Sequence, residues 1–132
     1  MDKFFQKFTA FLFAIGGFMW GKADGLLYAL VAFMTLDYIT GVISAYIRKE
    51  ISSAVGFLGI VKKVFIMLLV AVAHILDTQI IGDGSVCRSA VIGFYISNEG
   101  ISILENAVKI GMPLPKKLVD ILMEMKNNDE EK

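Results

Sequence analysis

The chain has 132 residues, of which 56% are hydrophobic and 20% are charged. This length suits one domain, but one core of that size cannot hide so many apolar side chains, so the composition argues against a water-soluble protein. Thirteen basic residues balance thirteen acidic residues, which gives no basic excess for binding nucleic acid. With one cysteine and one histidine, we expect no disulfide framework, no metal site and no cofactor.

Four apolar segments compare well with the roughly 20 residues that a membrane-spanning helix needs. They cover residues 4–21, 26–47, 64–82 and 86–108. The second segment is the clearest, because Asp37 is its one charged residue. We therefore predict an all-α membrane protein with three to four transmembrane helices, four being preferred, in a transmembrane domain over residues 1–110.

The first and fourth segments allow other interpretations. In the first, Lys7 lies near the start and Trp20 near the end, so the helix can span the membrane, lie flat on it, or be a cleaved signal peptide. The fourth segment carries several polar side chains and is marginal in lipid by itself. It fits a membrane if those side chains face other helices or water.

The basic residues predict the orientation of these segments. With the N-terminus in the cytoplasm, eleven of the thirteen lie on the cytoplasmic side, Lys62 and Lys63 among them. Lys22 falls in an outer turn, and Arg88 lies near the outer end of the fourth segment. We therefore expect both termini to be cytoplasmic.

Two stretches connect or follow the apolar segments. Residues 48–63 are predicted to be a loop at the inner membrane surface, because Gly56 and Gly59 interrupt their apolar positions. After the fourth segment, Gly111, Pro113 and Pro115 predict a helix end and a restart. Residues 111–132 then form a short cytoplasmic amphipathic helix and a charged tail. The apolar positions of that helix are Leu118, Ile121, Leu122 and Met125.

Polar groups inside the second apolar segment share one helix face. Thr40, Gly41 and Ser44 follow Asp37 at spacings of three, four and seven residues. Such a face either packs against a neighbouring helix, where Asp37 forms hydrogen bonds, or meets water and senses protons. The sequence leaves both interpretations open.

The third segment carries His74 and Asp77 at positions i and i+3. Because a short outer turn follows, we expect Asp77 and Arg88 to lie at similar depth, and we prefer a salt bridge between them. A pH switch at His74 is the alternative.

The fourth segment carries a polar stripe whose members advance by three, four or seven residues. It comprises Arg88, Tyr95, Asn98, Glu99, Ser102, Glu105 and Asn106. Within a monomeric four-helix bundle the stripe forms hydrogen bonds between helices. Alternatively, identical stripes of several copies meet each other or line water.

No motif predicts an enzyme. The sequence has no glycine-rich phosphate loop, no metal-ligand spacing and no nucleophile placed near a base. We interpret Cys87 as an ordinary small residue.

Several motifs, taken in order, resemble the toxin secretion/phage lysis holin family. They are residues 36–45 (LDYITGVISA), Lys62 and Lys63 before an apolar helix with Asp77 near its end, residues 98–106 (NEGISILEN) and residues 111–118 (GMPLPKKL). The resemblance covers roughly two-thirds of the chain. The positions that match the family pattern are Asp37, Gly41, Glu99, Ser102, Gly111, Pro113 and Pro115.

The resemblance implies a small phage-encoded or phage-derived protein of the bacterial cytoplasmic membrane. Such proteins accumulate, assemble with copies of themselves in the lipid bilayer and permeabilise it. A wall-degrading endolysin, or in some relatives a large toxin, then leaves the cell without necessarily touching the holin. Two other hypotheses compete: an ion-selective channel or small proton-coupled transporter, and a non-permeabilising interaction protein or holin antagonist. In the channel hypothesis the ion relay consists of Asp37, His74, Asp77 and Glu99.

Overall fold

A computed structural model describes residues 2–130 of the chain and shows an all-helical protein. The helices are α1 (Lys3–Trp20), α2 (Gly25–Ile47), α3 (Ser53–Ile75), α4 (Val86–Lys109) and α5 (Lys116–Glu130). A π-helical segment, Leu76–Ile81, continues α3 towards α4. The long helices α1 to α4 are joined by short connections and alternate in direction along the chain, so α2 and α4, which pack against each other, run in the same direction.

Side-chain caps fix the start of three helices. Oδ1 of Asp2 accepts the Phe5 backbone N–H at 3.0 Å, and Oδ1 of Asp24 accepts the Leu27 backbone N–H at 3.0 Å. Oγ of Ser52 accepts the Val55 backbone N–H at 3.3 Å. Each cap satisfies an amide that has no partner inside the helix. These caps set the starts of α1, α2 and α3. Helices α1, α2 and α4 lie within one residue of the segments predicted at 4–21, 26–47 and 86–108.

The predicted loop at residues 48–63 was wrong for most of its length, because α3 begins at Ser53. Gly56 and Gly59 do not interrupt this helix. A Cβ atom at Gly56 would lie 3.4 Å from Oη of Tyr38, and one at Gly59 would lie 3.8 Å from the Tyr38 ring. These glycines therefore admit an aromatic side chain of α2 against α3.

The core lies where α2, α3 and α4 meet. Leu30, Met34, Ile66, Val70 and Ile92 form its buried cluster. The helix α4 contacts α2, α3 and α5, whereas α1 contacts α3. No side chain of α1 is buried. The first helix is therefore the most peripheral of the long helices.

Two helical segments in the described part of the chain are long and apolar enough to cross a membrane: Gly25–Ile47 and Ser53–Ile81. Most of their side chains face outwards, and large apolar residues such as Leu36, Ile43 and Phe65 are exposed. A surface of this kind suits contact with lipid tails.

The connection to α5 has the predicted helix end and restart. Gly111 has a φ of 86°, a conformation that favours glycine, and the Met112 backbone N–H donates to the Ala107 carbonyl at 3.0 Å. Helix α5 then starts at Lys116, one residue after Pro115. Two of the predicted apolar positions of this helix, Leu122 and Met125, have side chains outside the described part of the chain. The tail residues 131–132 lie outside it as well.

Candidate functional site

An ion cluster joins the three central helices. Nζ of Lys63 on α3 lies 2.8 Å from Oδ2 of Asp37 on α2 and 2.9 Å from Oε2 of Glu99 on α4. The exposed fractions of these three side chains are 19%, 14% and 8%. We call Asp37, Lys63 and Glu99 the inner triad. It carries one positive and two negative formal charges.

Neutral polar groups extend the inner triad along α2 and α4. Nδ2 of Asn106 donates to Oγ1 of Thr40 at 2.9 Å and to Oδ1 of Asp37 at 3.2 Å. Glu99 and Asn106 are seven residues apart on α4 and both are buried, as the helical repeat requires. A Cβ atom at Gly41 would lie 3.6 Å from Nδ2 of Asn106, so a small residue leaves room for this carboxamide. Asp37 is therefore hydrogen-bonded at a helix interface, one of the two interpretations open from the sequence.

A second polar cluster lies at the end of the bundle where α2 and α4 begin. The Arg88 side chain is buried and donates from Nη1 to Oδ2 of Asp24 at 2.8 Å. Its Nε donates to the Trp20 carbonyl at 2.8 Å, and its Nη2 donates to the Lys22 carbonyl at 3.1 Å. Arg88 thus ties the turn between α1 and α2 to the start of α4. We call Arg88, Asp24 and Asp77 the outer cluster.

Asp77 does not form the predicted salt bridge with Arg88. Its Oδ1 accepts the Cys87 backbone N–H at 3.0 Å and its Oδ2 accepts the Arg88 backbone N–H at 2.8 Å. A carboxylate is favourable there because the first amides of α4 have no partner within the helix. The guanidinium group of Arg88 pairs with Asp24 instead. The predicted proximity of Asp77 and Arg88 was right, but the group that Asp77 binds was not.

Asp24 lies in the turn before α2, outside the apolar helices. The hydrogen bond from Arg88 lowers the pKa of its carboxyl group below the ordinary value, and the bond from the Leu27 backbone N–H adds to the effect. Asp24 therefore stays ionised in moderately acidic solution and keeps both its cap and its ion pair.

His74 packs against the same turn. A Cβ atom at Gly21, whose φ is 77°, would lie 2.7 Å from Cε1 of the His74 ring. Nε1 of Trp20 donates to the Met67 carbonyl at 2.7 Å, which fixes the end of α1 on α3. His74 is partly buried. Its contact with Gly21 is thus part of the packing of α1.

The polar stripe predicted on α4 divides between two sides of the helix. Arg88, Glu99 and Asn106 are buried, whereas Asn98 and Glu105 are exposed. Tyr95 and Ser102 lie at the boundary, and the Tyr95 ring meets Phe94 edge to face at a centroid distance of 4.9 Å. The structure therefore brings Glu99 and Asn106 to the inner triad but leaves Asn98 on the surface.

The remaining candidate residues have separate positions. Ser44 is fully buried and its Oγ accepts a hydrogen bond from Nε of Arg48 at 3.2 Å. Gly111, Pro113 and Pro115 lie in the turn before α5, away from both clusters. Within the described residues, no group of three or more His, Cys, Asp or Glu side chains is arranged to hold a metal ion.

Sequence reasoning missed Lys63 and Asp24. Lys63 follows Lys62, and this pair has the pattern of basic residues at a membrane surface. The long side chain of Lys63 nevertheless reaches the carboxylates of Asp37 and Glu99, which are 26 and 36 positions away along the chain. Asp24 directly precedes an apolar helix, which is the signal of an N-cap, but nothing in the sequence pointed to its contact with Arg88.

The depth of the inner triad follows from helix geometry. Asp24 and Asp37 are thirteen residues apart on α2, which is about 20 Å at 1.5 Å per residue. Arg88 and Glu99 are eleven residues apart on α4, or about 16 Å. A hydrocarbon layer is about 30 Å thick. With the outer cluster at one boundary, the inner triad would lie about 10–14 Å inside the other.

Comparison with known proteins identifies the family. The profile of the bacteriophage holin family matches residues 14–127. The chain belongs to this family. Holins are non-enzymatic membrane proteins, so the prediction that this chain is not an enzyme is confirmed. The resemblance to the holin family is confirmed as well.

Relatives at moderate identity extend over most of the chain. An uncharacterized protein of Listeria monocytogenes is 46% identical over 122 residues, which cover 90% of this chain and 86% of the relative. A probable holin of Bacillus phage phi105 is 39% identical over 97 residues, which cover 74% of this chain and 71% of the relative. No solved structure matches the chain.

Proposed function

We propose that this holin accumulates in the bacterial cytoplasmic membrane, assembles with further copies of itself and opens a lesion through which an endolysin or a toxin leaves the cell. The observation that carries this proposal is the match to the bacteriophage holin family over residues 14–127. The inner triad supports it, because three ionisable side chains lie inside a bundle whose surface is apolar. The lipid bilayer and other copies of the chain are its direct partners. The exported protein need not touch it.

The bundle crosses the membrane four times in this proposal. Gly25–Ile47 and Ser53–Ile81 are candidate spans by length and composition. Helix α1 exposes Phe4, Phe8 and Phe13 along its length, which suits contact with lipid rather than with water. Helix α4 hides Arg88 and Glu99 against its neighbours and so reduces the cost of its polar stripe in lipid. An even number of spans puts both termini on the same side of the membrane, and the basic residues concentrated on that side make it the cytoplasmic one.

In this proposal the inner triad can be satisfied in two ways, by partners within the closed monomer or by water and other copies in an open arrangement. Each charge at this depth is tolerable because it is paired within the monomer. Lys63 also lines a groove of about 380 Å³ between α2 and α3, together with Tyr38, Ile60 and Val64. If α2 and α3 separate along this groove, the charged groups can exchange internal partners for water or for other copies. Two such arrangements, a few kcal/mol apart, would make opening a cooperative event at high density.

Release of a cytoplasmic reporter enzyme tests the proposal. The chain is expressed in a bacterial host with and without a co-expressed endolysin, and the enzyme activity in the medium is followed with time. We expect abrupt lysis when both are present, and enzyme leakage from the holin alone after the same delay. An ion-selective channel, which the three ionisable groups of the inner triad also suit, would depolarise the membrane and retain the enzyme. An antagonist would give neither signal.

The exported protein is best identified from neighbouring genes. A wall hydrolase in the adjacent reading frame would favour lysis of the host, and an adjacent secreted toxin would favour export. Deleting the holin gene should then trap that protein in the cytoplasm. Normal release of the protein from the deletion strain would contradict the proposal.

A further inference from the structure

One side of α4 is not covered by another helix. The side that carries Arg88, Ile92 and Glu99 is buried. Ala90 and Phe94 on the opposite side are exposed, and so is Asn98 at the edge of that side. Helix α5 reaches only the cytoplasmic half of that opposite side, where Ile101, Leu104 and Val108 line a cavity with Val119 and Met123. The other half, towards the outer cluster, stays open.

Small residues occupy the open half. Ala90, Gly93 and Ser97 follow one another at spacings of three and four residues, which places them on one face of α4. A Cβ atom at Gly93 would have no atom of another residue within 4 Å, so space is free there. The Ser97 hydroxyl is bonded to the Gly93 carbonyl at 3.1 Å and does not project outwards as a free group. Gly93 lies on the flank of this face that is far from Asn98. We call Ala90, Phe94, Ser97 and Asn98 the α4 outer face.

Asn98 is the polar group of the α4 outer face. Its side chain is exposed, and no hydrogen bond joins its carboxamide to another residue that the structure describes. It directly precedes Glu99 and therefore lies at the depth of the inner triad. A carboxamide at that depth cannot obtain hydrogen bonds from lipid tails, so it is costly until a polar partner arrives.

We propose that the α4 outer face is the docking surface for α4 of a second copy of this chain. The inference rests on the proposed function only in assuming that all copies cross the membrane in one orientation. Two identical helices in one orientation meet in parallel, which brings Asn98 of each copy to the same depth. A carboxamide both donates and accepts hydrogen bonds, so two of them satisfy each other. Ala90 and Ser97 are small, which lets the two backbones approach.

Substitution of Asn98 tests this contact in the full-length protein. Two differently tagged copies are expressed in one bacterial membrane before permeabilisation, and their association is measured by energy transfer between fluorescent labels. We expect Asn98→Leu to weaken association by roughly tenfold, as for other polar contacts between membrane helices. Asn98→Gln should retain most of it, because the carboxamide is kept. Thr35→Leu is the matched control, since Thr35 is an exposed polar residue on α2.

Disulfide cross-linking gives a second measurement. In a Cys87→Ser background, Ala90→Cys places a thiol near the outer end of the α4 outer face, and Tyr28→Cys places one on the exposed side of α2 at the same end. Mild oxidation should yield dimers severalfold faster for Ala90→Cys, and Asn98→Leu in that background should remove the difference.

Equal association of the wild type and Asn98→Leu, or equal cross-linking at the two positions, would overturn the docking surface. Lipid or an unrelated protein would then cover this face. The outcome is separate from the proposed function: a chain that pairs through Asn98 but never releases the reporter enzyme would overturn the lesion and leave the docking surface intact.

Discussion

Lys63 and Asp37 form an ion pair at 2.8 Å between α3 and α2, near the middle of a helix that is long and apolar enough to cross a membrane. In lipid this pair, with Glu99 as a second acceptor, replaces the solvation that water would give each charge. Several consequences of this arrangement can be measured.

Lys63→Met should destabilise the bundle strongly. It leaves two buried carboxylates without their cation, and removing one partner of a buried ion pair costs about 3–5 kcal/mol. The free energy of unfolding in detergent micelles, followed by circular dichroism, measures the loss. Lys62→Met is the matched control, because Lys62 is exposed and should change stability by less than about 0.5 kcal/mol. Equal effects of both substitutions would show that the inner triad is not the stabilising contact.

Glu99→Gln should delay permeabilisation. It removes the excess negative charge of the inner triad and leaves a neutral Lys63–Asp37 pair, so the closed bundle should become more stable. Asp37→Asn should act in the same direction and should also weaken the bond from Asn106. The time from induction to release of the reporter enzyme measures both effects at equal protein levels. Wild-type timing in both variants would contradict the role of the inner triad in opening.

Stability should fall in acid through Asp24. Because Arg88 holds the pKa of this carboxyl group below its unfolded value, the ion pair contributes its full stabilisation above about pH 4. That contribution should be lost as the pH falls through the lower, folded pKa. Thermal unfolding of the micellar protein between pH 6 and pH 2 measures it. Asp24→Asn keeps a capping side chain but should flatten this part of the profile, whereas Asp83→Asn in the exposed outer turn should not.

Gly21→Ala should loosen the end of α1. The position has a φ of 77° and a ψ of −162°, a region essentially restricted to glycine that costs an alanine roughly 1–3 kcal/mol, and the new Cβ would meet the His74 ring. The fluorescence of Trp20, the single tryptophan, reports the change, because its indole is hydrogen-bonded to Met67. A second substitution, His74→Ala, should relieve the clash but not the backbone strain. Gly17→Ala is the control, since Gly17 lies within α1 with open space around it.

The helices were predictable where local signals decide their limits. Asp24 before an apolar run and Gly111 after one mark helix ends through caps and backbone conformation, which depend on a few neighbouring residues. The start of α3 has a local signal in its N-cap Ser52, but the loop-like pattern of Gly56 and Gly59 outweighs it in the sequence prediction. Their role depends on Tyr38, which arrives from another helix.

The candidate site was predictable only in part, for the same reason. The helical repeat placed Glu99 and Asn106 on one face, and both are buried. Their partner Lys63 was assigned to the membrane surface, since a sequence gives no measure of how far a long side chain reaches inwards. At the outer end the sequence brought Asp77 close to Arg88 but could not show that backbone amides would satisfy the carboxylate.

The distance between the two polar clusters has a consequence for the host. The outer cluster and the inner triad are separated by about 16–20 Å along the helices, which is less than the thickness of the hydrocarbon layer. In the proposed four-span arrangement, a bilayer with longer acyl chains would move the inner triad farther from water, and one with shorter chains would move it closer. The fatty-acid composition of the membrane would therefore set the mismatch between the bundle and the hydrocarbon layer. Where that composition changes with the growth temperature of the bacterium, the depth of the inner triad would change with it.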